Sequence, residues 1–348
     1  MKLCLGARDG RALFSFVGRW LIVCMAAGLP LAAQGWGGRL HMDINYAAAR
    51  NVPDEMAAWR AYDKVLSKHS IDPDLWKGAD PSEGPRHYIE PEHLKGVVFT
   101  NLPKSLSALY EKIGKKEPEE TGLAPWIIDE TLQRLTQVMA SSNWLEATAV
   151  AAALGHYVAD THQPLHCTKD FDGDWISNRG IHLRWEKEMP AHRWNYKTIQ
   201  AGPARYVDDP WNVALIWMHA ANQEVQPIFK ADRAARRQTD NDVVSEKYFD
   251  LLWASSKDLF AKQVNQSVTD VSSLWYTAWV NAGKPPIPPP PETIDGKTIF
   301  RPGEARRFMK TSFPWTLVVV LGSVAALVLV LGVVKRQKRP LDQVSLGS

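Results

Sequence analysis

Apolar positions recur at helical spacing along most of residues 36–282, and no run alternates strictly as a half-buried strand would. The stretch VPDEMAAWRAYDKVLSKH (52–69) opens with Pro53 and two acids, then sets Met56, Trp59, Val65 and Leu66 broadly on one side. APWIIDETLQRLTQVMA (124–140) and NWLEATAVAAALGHYVAD (143–160) predict two more helices, parted near 141–143, with Asn143 as an N-cap. DPWNVALIWMHAANQEVQPIF (209–229) and the segment 243–280 read as helical too. The pattern predicts an all-α bundle whose interior can hold a cofactor or a metal site, with no internal repeat.

Two apolar stretches break this pattern. Near the N-terminus, WLIVCMAAGLPLAA follows Lys2, Arg8, Arg11 and Arg19, and Ala33 and Gly35 supply the small residues a cut before Trp36 needs. Residues 1–35 therefore read as a signal peptide, with an uncleaved membrane anchor as the alternative. Val23 is too large for the usual residue before a lipid-modified Cys24. Residues 311–334 carry no charge and supply about twenty apolar residues, enough for the ~30 Å hydrocarbon core. Lys335, Arg336, Lys338 and Arg339 follow at once, so 335–348 reads as a cytoplasmic tail. Before the span, residues 283–310 form a linker in which six of the seven positions 285–291 are proline, a polyproline II spacer. The folded body is expected over 36–282, outside the cytoplasm and tethered through the C-terminal transmembrane helix.

Composition narrows the chemistry. A net charge of +3 over 348 residues is too small to argue for a basic nucleic-acid-binding stripe. Of three cysteines, Cys4 and Cys24 fall in the leader, so Cys167 alone remains and no internal disulfide can form in the body. Thiolate metal coordination is nearly excluded for the same reason, and Cys167 reads as a small buried side chain. No HExxH, EF-hand or Gly-rich phosphate loop is present.

Histidines and carboxylates are what remains. In GHYVADTHQPLH, His156 and Asp160 stand four apart on one helix face, and His166 follows Pro164 just past the helix end. IHLRWE repeats the spacing with His182 and Glu186, and His166 with Asp170 makes a third pair. With ten histidines and 38 acids in 348 residues, about one such pair is expected by chance. Upstream lie His87 and the aspartates Asp72, Asp74 and Asp80. Imidazole with carboxylate suits Zn²⁺, and spacing alone points to a possible metal site and no further.

WGGRLH, GHYVADTHQPLH and HLRWE, in this order on a helical, exported body, resemble the zinc-dependent phospholipase C / P-one (S-one) nuclease superfamily. The motifs run from Trp36 to Glu186, and the remainder to about Ala282 is compatibly helical. The resemblance implies a multi-helix bundle holding three zinc ions. On this reading Trp36 binds one zinc through its free amine and carbonyl, with His41 beside it. His87, His156 and an upstream aspartate hold a second, and Asp160 bridges the two. His166, His182 and Glu186 hold the third. Asp74, which follows Pro73, fits the upstream position best, with Asp72 and Asp80 as alternatives. The implied reaction is phosphodiester hydrolysis by a zinc-activated hydroxide, with Asp74 orienting or deprotonating the water.

The motifs divide over substrate. DTHQPLH, the Trp in HLRW and the five-residue step from Trp36 to His41 look like the nuclease branch. The short 166–182 segment, Glu186 as the closing acid, SNRGIHLRWE and the absence of disulfides are closer to the phospholipases. The balance favours a single-strand nuclease, with phospholipase C as the alternative and an inactive metal-binding structural domain as a third reading. Nucleic acid or phospholipid is then the expected substrate, and no protein partner is predicted. Trp76, Tyr88 and Trp175 are the aromatics nearest the motifs and candidates for stacking on a base.

Overall fold

In the computed structural model, α1 (Gly38–Arg50) starts two residues after Trp36 and turns Leu40, His41, Ile44, Asn45, Ala48 and Ala49 inward. The residues described are 36–114, 118–173 and 177–295, without the side chains of 118 and 119. The chain divides into two units, Met1–Ala305 and Arg306–Ser348, and every described residue belongs to the first. Continuous α-helices of seven residues or more are α2 (Asp63–His69), α3 (Leu106–Ile113), α4 (Ala124–Ala140), α5 (Trp144–Thr161), α6 (Pro210–Gln223), α7 (Val225–Gln238) and α8 (Glu246–Asn281). Among the described residues there is no strand, and one isolated bridge joins Ile89 to Gly122.

α5 is the axis of the bundle. Asn143 caps it, accepting the amide of Glu146. Every residue from Ala147 to Thr161 is buried, and α1, α2, α4 and α8 pack around it. The run AVAAALG explains how so many neighbours fit, because small side chains let helix axes approach closely. Gly155 is the tightest point: a Cβ there would stand 2.2 Å from Asn45 Oδ1. Asn45 also donates to the His41 carbonyl at 3.1 Å, so the crossing of α1 over α5 fixes the turn that carries His41. Two buried indoles bind α5 carbonyls, Trp275 at Ala151 (2.9 Å) and Trp36 at Ala159 (2.7 Å). Burying each such aromatic contributes on the order of 2–3 kcal/mol.

Several predicted elements are shorter than the sequence pattern implied. The helix expected over 52–69 divides into a 3₁₀ stretch, Asp54–Tyr62, and α2, with non-helical backbone at Met56. That break lets Met56, Trp59 and Tyr62 all face the core. The helix expected over 209–229 ends at Gln223 and restarts as α7. Pro227, the third residue of α7, is tolerated there because a first-turn residue needs no intrahelical N–H bond. α8 begins at Glu246, where the Ser245 hydroxyl accepts from Tyr248, and ends at Asn281. The proline segment does not stand clear of the body: Tyr62 donates to the Pro288 carbonyl (2.9 Å), Trp279 donates to that of Pro285 (2.9 Å), and Ile294 is buried. The expected leader (1–35), span (311–334) and tail (335–348), with Trp175, lie outside the described residues. No helix among the described residues is long and apolar enough to cross a membrane.

Candidate metal centre

Five separate pieces of chain meet at the C-terminal half of α5. α1 brings His41, the short helix Asp72–Trp76 brings Asp74, and the 3₁₀ turn Pro81–His87 brings His87. α5 itself supplies His156 and Asp160. Past its end, the 3₁₀ turn Pro164–His166 and the helical segment 181–193 supply His166, His182 and Glu186. A π-turn over Arg184–Glu188 interrupts that last segment, a distortion common at functional sites. Its position is fixed from behind by Arg184, which donates to Tyr248 (2.9 Å) and pairs with the fully buried Asp232 (3.3 Å).

The donor atoms fall into three groups: His41, Asp74 and His156; His87, His156 and Asp160; and His166, His182 and Glu186. Within each group the candidate ligand atoms all lie within 4.8 Å of one another. Asp160 links them. One of its oxygens lies 2.8 Å from His87 Nδ1 and 3.2 Å from His156 Nε2; the other lies 3.3 Å from His41 Nε2 and 3.7 Å from His166 Nδ1. Asp74 Oδ1 stands 3.7 Å from His156 Nε2 and 3.9 Å from His87 Nδ1, and Lys77 pairs with it at 2.6 Å. Of the three upstream aspartates, only Asp74 enters the cluster. Asp72 pairs with His69 (2.8 Å), and Asp80 caps its own turn by accepting from Ser82.

The rings are held by backbone. His156 Nδ1 donates to the Ser70 carbonyl (2.7 Å) and His166 Nδ1 to that of His87 (2.9 Å), which leaves each Nε2 as a lone pair in the neutral ring. His166 Nε2 then faces His182 Nε2 at 3.1 Å, and the latter lies 3.0 Å from Glu186 Oε2. Acceptor facing acceptor is repulsive unless a proton or a cation sits between them. Neither ring nitrogen of the buried His41 makes a hydrogen bond, and neither does Asp160 Oδ1. Orphaned buried donors and acceptors of this kind cost about 1–3 kcal/mol each. A set of nitrogen and oxygen donors without thiolate, with such unpaired atoms, fits Zn²⁺.

Electrostatics agree with that fit at His41, His182, Asp160 and Asp74. Burial drives His41 down to about 4, reinforced by His156. Burial likewise drives His182 to about 4 and raises Glu186 to about 8. At Asp160, burial opposes ionisation, but His156, His166 and His41 together hold its pKa well below the usual range. Asp74 is lowered in the same way, burial being outweighed by His156, Lys77, His87 and His41. Neutral His41 and His182 beside ionised Asp160 and Asp74 are the protonation states a divalent cation requires. His156, raised by Asp160 and Asp74 in spite of its burial, and Glu186 must each give up a proton to ligate one.

Trp36 lies where these groups meet. Its ring is fully buried edge-on to Phe260, its indole donates to the residue before Asp160, and the next amide, Gly37, donates to the Glu186 carbonyl at 3.2 Å. Of the candidate stacking residues, Trp76 is buried and Tyr88 is half-buried. Sequence reasoning missed Phe171, a part-exposed ring edge-on to His182 at 5.6 Å between centroids. Its signal was its place within five residues of His166. Cys167 is buried and donates to the Thr161 carbonyl, away from any metal role.

No family model matches the chain. Over 217 residues it is 30% identical to Endonuclease 2 of Arabidopsis thaliana, covering 59% of this chain and 69% of that protein. The chain belongs to the S-one/P-one nuclease family. Family membership and the helical architecture agree with each other, and three groups of side chains in this fold could each hold a metal ion.

Proposed function

We propose that this protein is an exported, zinc-dependent nuclease that hydrolyses phosphodiester bonds in single-stranded nucleic acid. The observation that carries the reading is Asp160, a fully buried carboxylate whose two oxygens stand among the donor atoms of His41, His87 and His156 and beside the ring of His166. Trp36 and His41, then His87, His156 and Asp74, then His166, His182 and Glu186 would hold three zinc ions, with Asp160 between the first two. When bound, zinc supplies the charge neutralisation and water activation that an anionic phosphodiester needs. Asp74, held ionised and anchored by Lys77, orients the attacking water or takes its proton. Phe171, exposed beside His182, offers a face on which an unpaired base can stack.

The 36–282 body, the proline linker, the 311–334 span and the leader make this a membrane-tethered enzyme acting outside the cytoplasm. Fractionation tests that placement: the full chain should sediment with membranes and lose its body to protease added from outside.

The deciding experiment offers single-stranded DNA, RNA, duplex DNA and phosphatidylcholine to the purified full-length chain, with and without a chelator. Preferential cleavage of single strands, lost on chelation and regained with Zn²⁺, is expected. Hydrolysis of phosphatidylcholine alone would replace this reading with a phospholipase C. Zinc uptake with no hydrolysis of any phosphodiester would leave a structural metal-binding domain.

A further inference from the structure

His87 is oriented differently from the other cluster histidines. His156 and His166 use Nδ1 on backbone carbonyls and aim Nε2 at the cluster. His87 aims Nδ1 at the cluster, 2.8 Å from Asp160 Oδ2 and 3.0 Å from His156 Nε2. Its Nε2 is buried without a hydrogen bond and faces Glu83 Oε1 at 3.5 Å. Glu83 is itself buried and is gripped from two sides: the Tyr157 hydroxyl donates to Oε1, and Arg86 pairs with Oε2 at 3.3 Å. Arg86 also lies over the Tyr157 ring, 5.5 Å from its centroid.

We infer that Glu83 is a positioning residue that holds His87 in the tautomer able to ligate a cation through Nδ1. The inference rests on the zinc reading above. A neutral imidazole has one proton. To offer Nδ1 as a lone pair, His87 must carry that proton on Nε2, where a buried N–H without an acceptor would be costly. Glu83 is the anionic acceptor placed there, and such carboxylate–histidine pairs orient a ligand and raise its basicity. Tyr157 and Arg86 hold the buried carboxylate in place. Glu83 and His87 are four apart in EGPRH, on one 3₁₀ turn capped by Asp80, so the pair moves as a unit.

Zinc affinity of the full chain, measured by competition with a chromophoric chelator, tests this. Glu83→Ala should weaken one zinc site by about 10–100-fold, with Glu83→Gln, which keeps an acceptor, recovering part of the loss. Tyr157→Phe removes one of the two grips on the carboxylate but leaves Arg86, and should weaken the same site by less than Glu83→Ala does. On wild-type zinc-loaded protein, nitrogen NMR of the imidazoles should show His87 protonated at Nε2, with that proton shifted downfield. Unchanged zinc affinity in Glu83→Ala, or a His87 protonated at Nδ1 in the zinc-loaded wild type, overturns the proposal. A wild type that takes up no zinc overturns the reading beneath it instead. If neither Glu83 variant folds, the wild-type NMR result decides alone.

Discussion

Asp160 concentrates more of the proposed chemistry than any other side chain, because each oxygen serves a different pair of imidazoles. Asp160→Asn keeps the shape but removes the charge and one acceptor. It should cost more than one equivalent of zinc and at least about 100-fold in activity, read by metal analysis and single-strand cleavage. Retention of all zinc would remove Asp160 from the bridging role. Phe171→Ala should act differently: loss of a stacked base costs about 1–3 kcal/mol, so KM rises roughly 5–150-fold while kcat and zinc content hold. The buried histidines also set a pH response. In zinc-free protein, His41 and His182 titrate near 4 when folded but near 6.5 when unfolded. Between those values the unfolded chain binds more protons, so their contribution to stability is present above about 6.5 and falls as pH drops towards 4. Glu186 has the opposite sign, since its raised folded value of about 8 makes its contribution fall as pH rises from 4.5 to 8. Thermal melts of chelated protein from pH 4 to 8 should therefore show a broad maximum. Added zinc should raise the melting temperature at pH 7.5 and do less at pH 5, where a proton on His156, whose pKa is raised by Asp160 and Asp74 in spite of burial, competes with it.

At the scale of elements, the site depends on one close crossing. His41 stacks on His156 with ring centroids 3.8 Å apart only because α1 rests on Gly155 of α5. Gly155→Ala places a methyl 2.2 Å from Asn45 Oδ1, and either α1 or the Asn45 side chain must move. The expected cost is about 1–3 kcal/mol of stability together with loss of the zinc that His41 shares. Calorimetry with metal analysis checks both, and Asn143→Ala is the control. That cap substitution should cost about 1 kcal/mol and leave zinc untouched, because it weakens α5 at the end away from the ligands. The elements themselves were legible where periodicity was long and uninterrupted, as in 124–140 and 143–160. They were misjudged where core packing overrode periodicity, as at Met56, or where a single residue such as Glu224 ended one helix and opened the next.

For the molecule as a whole, the proposed function makes Trp36 the point where export and assembly of the centre would meet. Its indole ties it to α5 beside Asp160, and the following amide ties the chain to the backbone of Glu186. An α-amine near pKa 8 can yield its proton to zinc, whereas a peptide nitrogen cannot offer its lone pair. A form with one extra residue before Trp36 should therefore fold with an unchanged melting temperature when zinc-free. It should bind one zinc less and lose activity, as native mass spectrometry and cleavage assays would show. Equal zinc content in the two forms would reduce Trp36 to a packing residue.

The sequence by itself determined the helical class, the choice of imidazole and carboxylate over thiolate, and the pairs His156–Asp160 and His182–Glu186, because those rest on composition and on spacing along one helix. It left open which of Asp72, Asp74 and Asp80 joins them, since three aspartates within nine residues differ only in where a short helix and the turn after it point each one. It also hid Glu83, whose part depends on which nitrogen of His87 turns inward. Ring orientation is set by contacts between segments more than 70 residues apart, and no local pattern records it.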